Sequence, residues 1–325
     1  MIAALVLAAG YSSRMGHFKP LLPIGGAPAL ERAIDLFLAA GIGDITVVTG
    51  YRAGELEPLL ERKGVRAIHS PHYDAGMYSS IAAGVGALPG EYQACFILPA
   101  DMPLVRPRTV KLLVQAYESH PRTILYPVFQ GQRGHPPLIC RSVLAETLRG
   151  DEPGGLRALL ARHQQGVGEV AVIDEGIHLD LDTPADLGRA KALDECSDAP
   201  SLAECEAILA DARVDEGTAR HSRLVADVAR KLALCLAECG VSLDLAVVRA
   251  ACLLRQVTDD HIEFPRVARV MACYRNLDYP PGRLDEAAIV YLAAKVAAGE
   301  RAVSIEREIE ARSGVRLHEI LAKTS

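Results

Sequence analysis

The stretch LVLAAGYSSRMGHFKPLLPIGG, residues 5–26, runs from an apolar strand into Gly10, two serines, Arg14 and, five residues further, Lys19. A loop that leaves a strand and enters a helix exposes consecutive backbone N–H groups, and a glycine lets that backbone bend and come close to a ligand. Ser12 and Ser13 can cap the next element or donate to phosphate oxygens, while Arg14 offers a planar fork and Lys19 a mobile point charge. Amides and two cations around one concavity suit a polyphosphate. A serine-rich turn carrying surface charges is the structural alternative. The spacing is neither that of a Walker loop nor the GxGxxG of dinucleotide binders.

Two acidic segments could complete such a site. In LPADMP (98–103) Asp101 ends an apolar strand, where a carboxylate can hold a divalent cation that neutralises a bound polyphosphate; an Asp-x-Pro turn is the plain alternative. In LDLDTPADL (179–187) Asp180 and Asp182 share a face by strand alternation, and Asp182 could instead cap the helix opening at Thr183–Pro184.

Taken together, these motifs resemble those of the MobA-like, molybdenum-cofactor type of NTP transferases, whose signature loop reads LAAGxSxRMGxxK. The resemblance spans residues 1–190, with five motifs in the family's order. It implies that Leu7, Ala8, Ala9, Gly10, Ser12, Ser13, Arg14, Gly16 and Lys19 wrap the nucleotide, with Arg14 and Lys19 on its phosphates. It implies that Asp101 and an acidic partner, Asp182 in preference to Asp180, bind Mg2+, so that Arg14, Lys19 and Asp101 form the catalytic set. HYDAGMYSSIAAGV (72–85) resembles the segment that contacts base and sugar and adds Gly76, Met77, Ser79 and Ser80. GQRGHPPLIC (131–140) resembles the Gly-His-Pro element of the cytidylyl-transferring branch, and GDEPGGLRALL (150–160) a loop near the acceptor. These place His135, Asp151 and Arg157 on the acceptor, although the second motif carries an extra residue and Gly155 where the family has Ala. Leu-Ala-Ala-Gly at 7–10, where the guanylyl branch has Leu-Ala-Gly-Gly, favours CTP. The implied reaction is magnesium-dependent transfer of a cytidylyl group from CTP to the phosphate of molybdopterin. The alternatives are another NTP or another phosphorylated small molecule, or a nucleotide-binding regulatory protein.

These residues need a scaffold that delivers loops to one edge. Apolar runs at Ile2–Leu7, 44–50, 64–70 and 94–101 alternate with helical patterns at Ala29–Ala39, Glu55–Lys63 and Ser79–Leu88. That alternation predicts an α/β, Rossmann-like, mostly parallel sheet over residues 1–195, with ligands at the strands' carboxyl ends. After a polar connection the texture turns helical, and residues 202–325 should form an all-helical domain. Its stripe of His221, Leu224, Val225, Val228, Leu232, Cys235, Leu236 and Cys239 repeats every three or four residues.

ARHSRLVADVARKLA (219–233) resembles the opening helix of HD-type phosphohydrolases. In that family a His-Asp pair and a later Asp bind metal. Here Arg255-Gln256 and Ala294 stand at those positions, so the domain is expected to be a degenerate HD-like scaffold without its metal. His221 is then expected to be a core histidine, and Asp259, Asp260 and His261 are the remaining substitutes. Dimerisation through this domain, substrate presentation or regulation are its candidate roles.

Bulk properties agree with a cytoplasmic enzyme of small molecules. The chain has 325 residues, 50% apolar and 23% charged, with a formal charge of -6 divided about evenly between the halves. No basic half invites nucleic acid, and no apolar run reaches the ~20 residues of a membrane span. The start MIAALVLAAG lacks the basic leading region of a signal peptide. Eight cysteines show no CxxC pair or zinc spacing, as expected of reduced thiols.

Overall fold

The computed structural model describes residues 1–11, 16–150, 152–258, 262–275, 284–314 and 316–322, the last two by backbone alone. Two compact units divide the chain, Met1–Glu195 and Cys196–Ser325.

Among its described residues the first unit has ten strands: β1 Ile2–Ala8, β2 Pro23–Ile24, β3 Ala27–Pro28, β4 Ile45–Thr49, β5 Arg66–His69, β6 Ala94–Pro99, β7 Ile124–Phe129, β8 Gln132–Arg133, β9 Leu138–Cys140 and β10 Val167–Ala171. Strands β2 and β3 pair as a separate two-stranded ribbon, and the rest form one sheet of order β10-β7-β9-β6-β1-β4-β5, with β8 on β7. Strand β1 pairs in parallel with both β4 and β6, and β9 runs antiparallel between β6 and β7. The sheet is therefore mixed but mostly parallel, as the strand-helix alternation predicts. Helices α1 Ala29–Ala39, α2 Glu57–Lys63, α3 Met77–Gly86, α4 Pro107–Ser119, α5 Arg141–Leu144, α6 Gly155–Arg162 and α7 Pro184–Glu195 accompany it.

Strand β1 is apolar almost throughout because both of its faces are covered: Ala3 to Val6 have no measurable exposure. Buried Phe37 of α1 meets buried Phe96 of β6, with ring centroids 5.6 Å apart. Elsewhere Leu5, Leu7 and Ile97 pack with Ile81 and Val85 of α3 in one cluster. Gly84 permits this close approach, since a Cβ there would stand 2.5 Å from Leu5 and 2.7 Å from Val48. Helix α3 is thus pressed onto the sheet with its first turn at the carboxyl edge.

The second unit is helical, as predicted: α8 Leu202–Asp211, α9 Glu216–Glu238, α10 Leu245–Leu254, α11 Pro265–Arg275, α12 Glu286–Ala297, α13 Val303–Ser313 and α14 Leu317–Ala322. Side chains start α8, α9, α10 and α12. Ser201 and Glu204 form a reciprocal capping box on α8, and Asp215, Asp244 and Asp285 accept from the first-turn amides of α9, α10 and α12.

The buried stripe of α9 is offset from the expected one. It consists of Ala219, Ser222, Val225, Ala226, Ala229, Leu232, Ala233 and Leu236. His221 is exposed, which corrects its reading as a core histidine, and Leu224 is half exposed. The small residues Ala226, Ala229 and Ala233 let neighbouring helices approach, and a stripe drawn from large apolar residues alone overlooks them. Arg255 is buried after α10, its Nη1 donating to the Cys252 carbonyl at 3.1 Å. Asp259, Asp260 and His261 lie outside the described residues. No described helix is long and apolar enough to cross a membrane.

Candidate active site

Strand order reverses at β1, with β4 and β5 on one side and β6 on the other. Ligands in open α/β sheets bind at such a point, outside the carboxyl ends of the strands. Here the loop after β1 is stitched to both neighbours, because Ala100 N–H donates to the Leu7 carbonyl at 2.9 Å and Tyr51 N–H to the Ala9 carbonyl at 3.2 Å. A cleft of about 320 Å³ opens above, lined by Leu7, Ala8, Ala9, Gly10, Lys19, Gly76, Met77, Ser80 and Asp101 among others. These residues come from four separate sequence segments. Gly16, with φ +65°, is exposed and is not among the cleft residues. Ser12, Ser13, Arg14 and Asp151 lie outside the described residues.

Lys19 opens a single 3-10 turn, Lys19–Leu21, whose carbonyl accepts from Leu22 N–H at 3.0 Å. Its ammonium donates to Asp101 Oδ2 at 3.0 Å and to Asp182 Oδ1 at 2.5 Å, and its side chain is only 11% exposed. Burial alone would depress the Lys19 pKa, but the bond to Asp182 and the charge of Asp101 outweigh it and move the pKa up. Backbone geometry brings the carboxylates together: Leu181 N–H donates to the Asp101 carbonyl at 3.0 Å. Leu179 and Leu181 are buried, while Asp180 is exposed and Asp182 partly so. Although Asp180 is exposed overall, desolvation of its carboxylate by neighbouring atoms, then the charges of Asp182 and Asp101, raise its pKa.

The cap of α7 belongs to Thr183, not Asp182. Thr183 N–H and Oγ1 donate to Asp186 Oδ2 at 2.9 and 2.7 Å, and Asp186 N–H donates back to Thr183 Oγ1 at 3.2 Å. The helix start is thereby satisfied, and the Asp182 carboxylate meets Lys19 instead.

Asp101 and Asp182 supply the hard oxygen ligands that Mg2+ prefers, so the donor chemistry fits that ion. Among the described residues no group of three or more metal-ligating side chains gathers. A divalent ion held here would complete its coordination with water and phosphate oxygens, as magnesium commonly does.

His135 lies on the Asp101 side. Its N–H donates to the Ile177 carbonyl at 3.0 Å, and Gly134 is packed so closely that a Cβ would stand 2.5 Å from the Ile177 side chain. The residue is exposed overall, yet desolvation of its ring lowers its pKa; the Asp101 charge opposes this and His178 adds to it. Arg157 sits elsewhere, in a hollow of about 490 Å³ shared with Tyr78, Ser79 and Glu152, and Met77 borders both spaces. The Ser79 hydroxyl contacts the His72 and Gly76 carbonyls at 2.5 and 2.8 Å. Ser80, buried, donates to Ser70 Oγ at 3.3 Å.

Sequence reasoning missed the aromatic wall of the cleft. Tyr11 and Tyr73 line it, and the Tyr11 ring lies 5.1 Å from Tyr51 and 5.5 Å from Tyr73. The signal was present, since each tyrosine follows the end of a strand by a few residues. A larger hollow of about 940 Å³ lies at the amino ends of the strands, lined by Met1, Asp44, Lys111 and Glu118 among others, away from these loops.

Residues 4–167 match the family model described as the MobA-like NTP transferase domain. The chain is 31% identical over 193 residues to the molybdenum cofactor cytidylyltransferase of Escherichia coli (strain K12), an alignment covering 58% of this chain and 95% of that enzyme. Among solved structures it is similar to Rv0371c from Mycobacterium tuberculosis H37Rv, with TM-score 0.52 and 26% identity, covering 59% of this chain and 98% of that one. It is also similar to a nucleotidyl transferase from Methanothermobacter thermautotroptrophicus, with TM-score 0.51 and 25% identity, covering 60% and 97%.

Proposed function

The chain belongs to the MobA-like NTP transferases, and from that premise we propose that it transfers a cytidylyl group from CTP to the phosphate of a molybdopterin-type acceptor. The observation that carries this reading is the convergence of Lys19, Asp101 and Asp182 beside a glycine-containing cleft at the switch point of the sheet.

In the proposed reaction an acceptor phosphate oxygen attacks the α-phosphorus of CTP, the bond to the bridging oxygen breaks, and pyrophosphate leaves. No covalent enzyme intermediate is needed, so the protein's work is positioning and charge stabilisation. The amides after β1, with Ser12 and Ser13, cradle the triphosphate, and Arg14 and Lys19 neutralise it. Asp101 and Asp182 would hold Mg2+, which when bound draws charge from the phosphates and the leaving group. Gly76 and Ser80 border the nucleoside, and Ser79 steadies the turn before α3. His135, Asp151 and Arg157 receive the acceptor. Leu-Ala-Ala-Gly at 7–10 and the similarity to a cytidylyltransferase support CTP.

The helical unit is read as a degenerate HD-like scaffold, with Arg255, which is buried, and Gln256 where that family has its His-Asp pair and Ala294 where it has the later Asp. Dimerisation, substrate presentation or regulation are its proposed roles. Eight cysteines outside any disulfide support a reducing, cytoplasmic setting.

The test is pyrophosphate release from each of the four NTPs with magnesium, with and without molybdopterin, beside an Asp101→Ala control. Release that requires CTP and molybdopterin and vanishes in the control supports the reading. Release with a different phosphorylated acceptor moves the assignment to that acceptor. No release with any NTP or acceptor overturns it.

A further inference from the structure

Lys19 was expected on the nucleotide's phosphates, yet its ammonium sits between the two carboxylates assigned to the metal. We propose that Lys19 guards this carboxylate pair, excluding a free divalent cation until a nucleoside triphosphate draws the ammonium away. The inference rests on the metal assignment above and adds an order to it, in which metal and nucleotide enter together.

Two ion pairs at 3.0 and 2.5 Å, on a side chain only 11% exposed, already offset much of the pair's negative charge. A divalent ion arriving alone must displace that ammonium or share the space with a like charge at close range. It would also have to replace charge-assisted hydrogen bonds that are already made. A nucleoside triphosphate changes the balance in two ways. Its phosphates give the ammonium another anionic partner, and they bring oxygen ligands of their own to the metal.

The exchange needs no backbone movement. Lys19 begins a 3-10 turn pinned by Leu21 N–H to the Phe18 carbonyl at 3.1 Å and Leu22 N–H to the Lys19 carbonyl at 3.0 Å, and buried Pro20 follows. The cleft is lined by Lys19 and Asp101 alike, so rotation along the lysine's four-carbon stem transfers the charge from carboxylate to phosphate. Thermodynamic linkage then makes the effect reciprocal: nucleotide tightens metal binding by the factor by which metal tightens nucleotide.

The experiment measures Mn2+ binding to the full chain by the loss of the free-ion paramagnetic resonance signal, with and without non-hydrolysable α,β-methylene-CTP. Wild type, Lys19→Met, Lys19→Gln, Lys19→Arg and Lys19→Met/Asp101→Asn are compared, with thermal melts to verify folding. Wild type is expected to bind manganese at least tenfold more tightly with the analogue than without it. Either neutral variant should bind it about tenfold more tightly than wild type in the analogue's absence, the arginine variant should stay weak, and the double variant should lose the gain. Equal nucleotide-free affinity in wild type and both neutral variants overturns the guard and leaves the metal assignment standing. Absence of manganese binding in every protein, even with the analogue, overturns the metal assignment and the guard with it.

Discussion

The Lys19 ammonium donates to the Asp182 carboxylate at 2.5 Å across 163 residues of chain. That bond joins the loop after the first strand to the segment before the last helix of the first unit, and Asp101 lies 3.0 Å from the same nitrogen. A transferase built this way makes specific demands on its residues.

Asp101→Ala should reduce pyrophosphate release by at least ~10²-fold while the circular dichroism spectrum stays native, because a charge-stabilising contact is lost and no core residue changes. Asp182→Asn should cost more activity than Asp180→Asn, since Asp182 meets Lys19 while Asp180 is exposed. Steady-state rates at saturating magnesium decide; equal losses in the two variants would reassign the second ligand.

Tyr11→Ala should raise the KM for the nucleotide about tenfold with a smaller change in kcat, because stacking on an aromatic ring is worth about 1–3 kcal/mol per base. Tyr11→Phe keeps the ring and should stay near wild type. The protein has no tryptophan, so quenching of tyrosine emission by CTP gives a direct second readout. An unchanged KM in Tyr11→Ala would remove the aromatic wall from nucleotide binding.

Gly134→Ala should lower the melting temperature by several degrees. Its Cβ would stand 2.5 Å from the Ile177 side chain and 2.6 Å from the Ile177 carbonyl, and backbone cannot yield as a flexible side chain can. Overpacking of this kind costs about 1–3 kcal/mol. The same carbonyl holds His135 N–H, so the KM for the acceptor should rise as well.

Glu306 should make the helical unit acid-sensitive. Its buried carboxylate accepts from Arg301 Nη2 at 2.6 Å and from Ala302 N–H at 2.9 Å. The Arg301 bond lowers its pKa against the opposing effect of burial. A folded pKa below the unfolded value means that the stabilisation is complete above the unfolded value, about 4.3, and is lost as pH falls through the folded one. Glu306→Gln should cost about 1–2 kcal/mol at pH 7 and little near pH 2. Thermal melts at the two pH values, followed by circular dichroism, test this; an equal loss at both would show that the charge is immaterial.

The loop after β1, the strand-helix alternation and the helical second half were legible in the sequence, because each rests on local properties. Apolar runs such as Ile2–Ala8 declare a buried strand, and Gly10 with its polar followers declares a turn that can hold an anion. Residue types also marked Asp101 and Asp182 as candidates. Tertiary structure alone decided what those residues meet. Whether Asp182 caps a helix or joins a cation depends on Thr183 and Asp186 completing the cap and on a backbone bond from Leu181 to Asp101. That Tyr11, Tyr51 and Tyr73 form one wall depends on β1, β4 and β5 lying side by side, and that Arg157 and His135 occupy different spaces depends on where α6 and the 129–138 loop return to the sheet. His221 is exposed because the buried face of α9 runs through Ala226, Ala229 and Ala233 beside Val225, Leu232 and Leu236, which turns the stripe away from it. Local sequence specifies backbone conformation and chemical type within a few residues; contacts across 82 or 163 residues are set by how the sheet is ordered and how closely its elements pack.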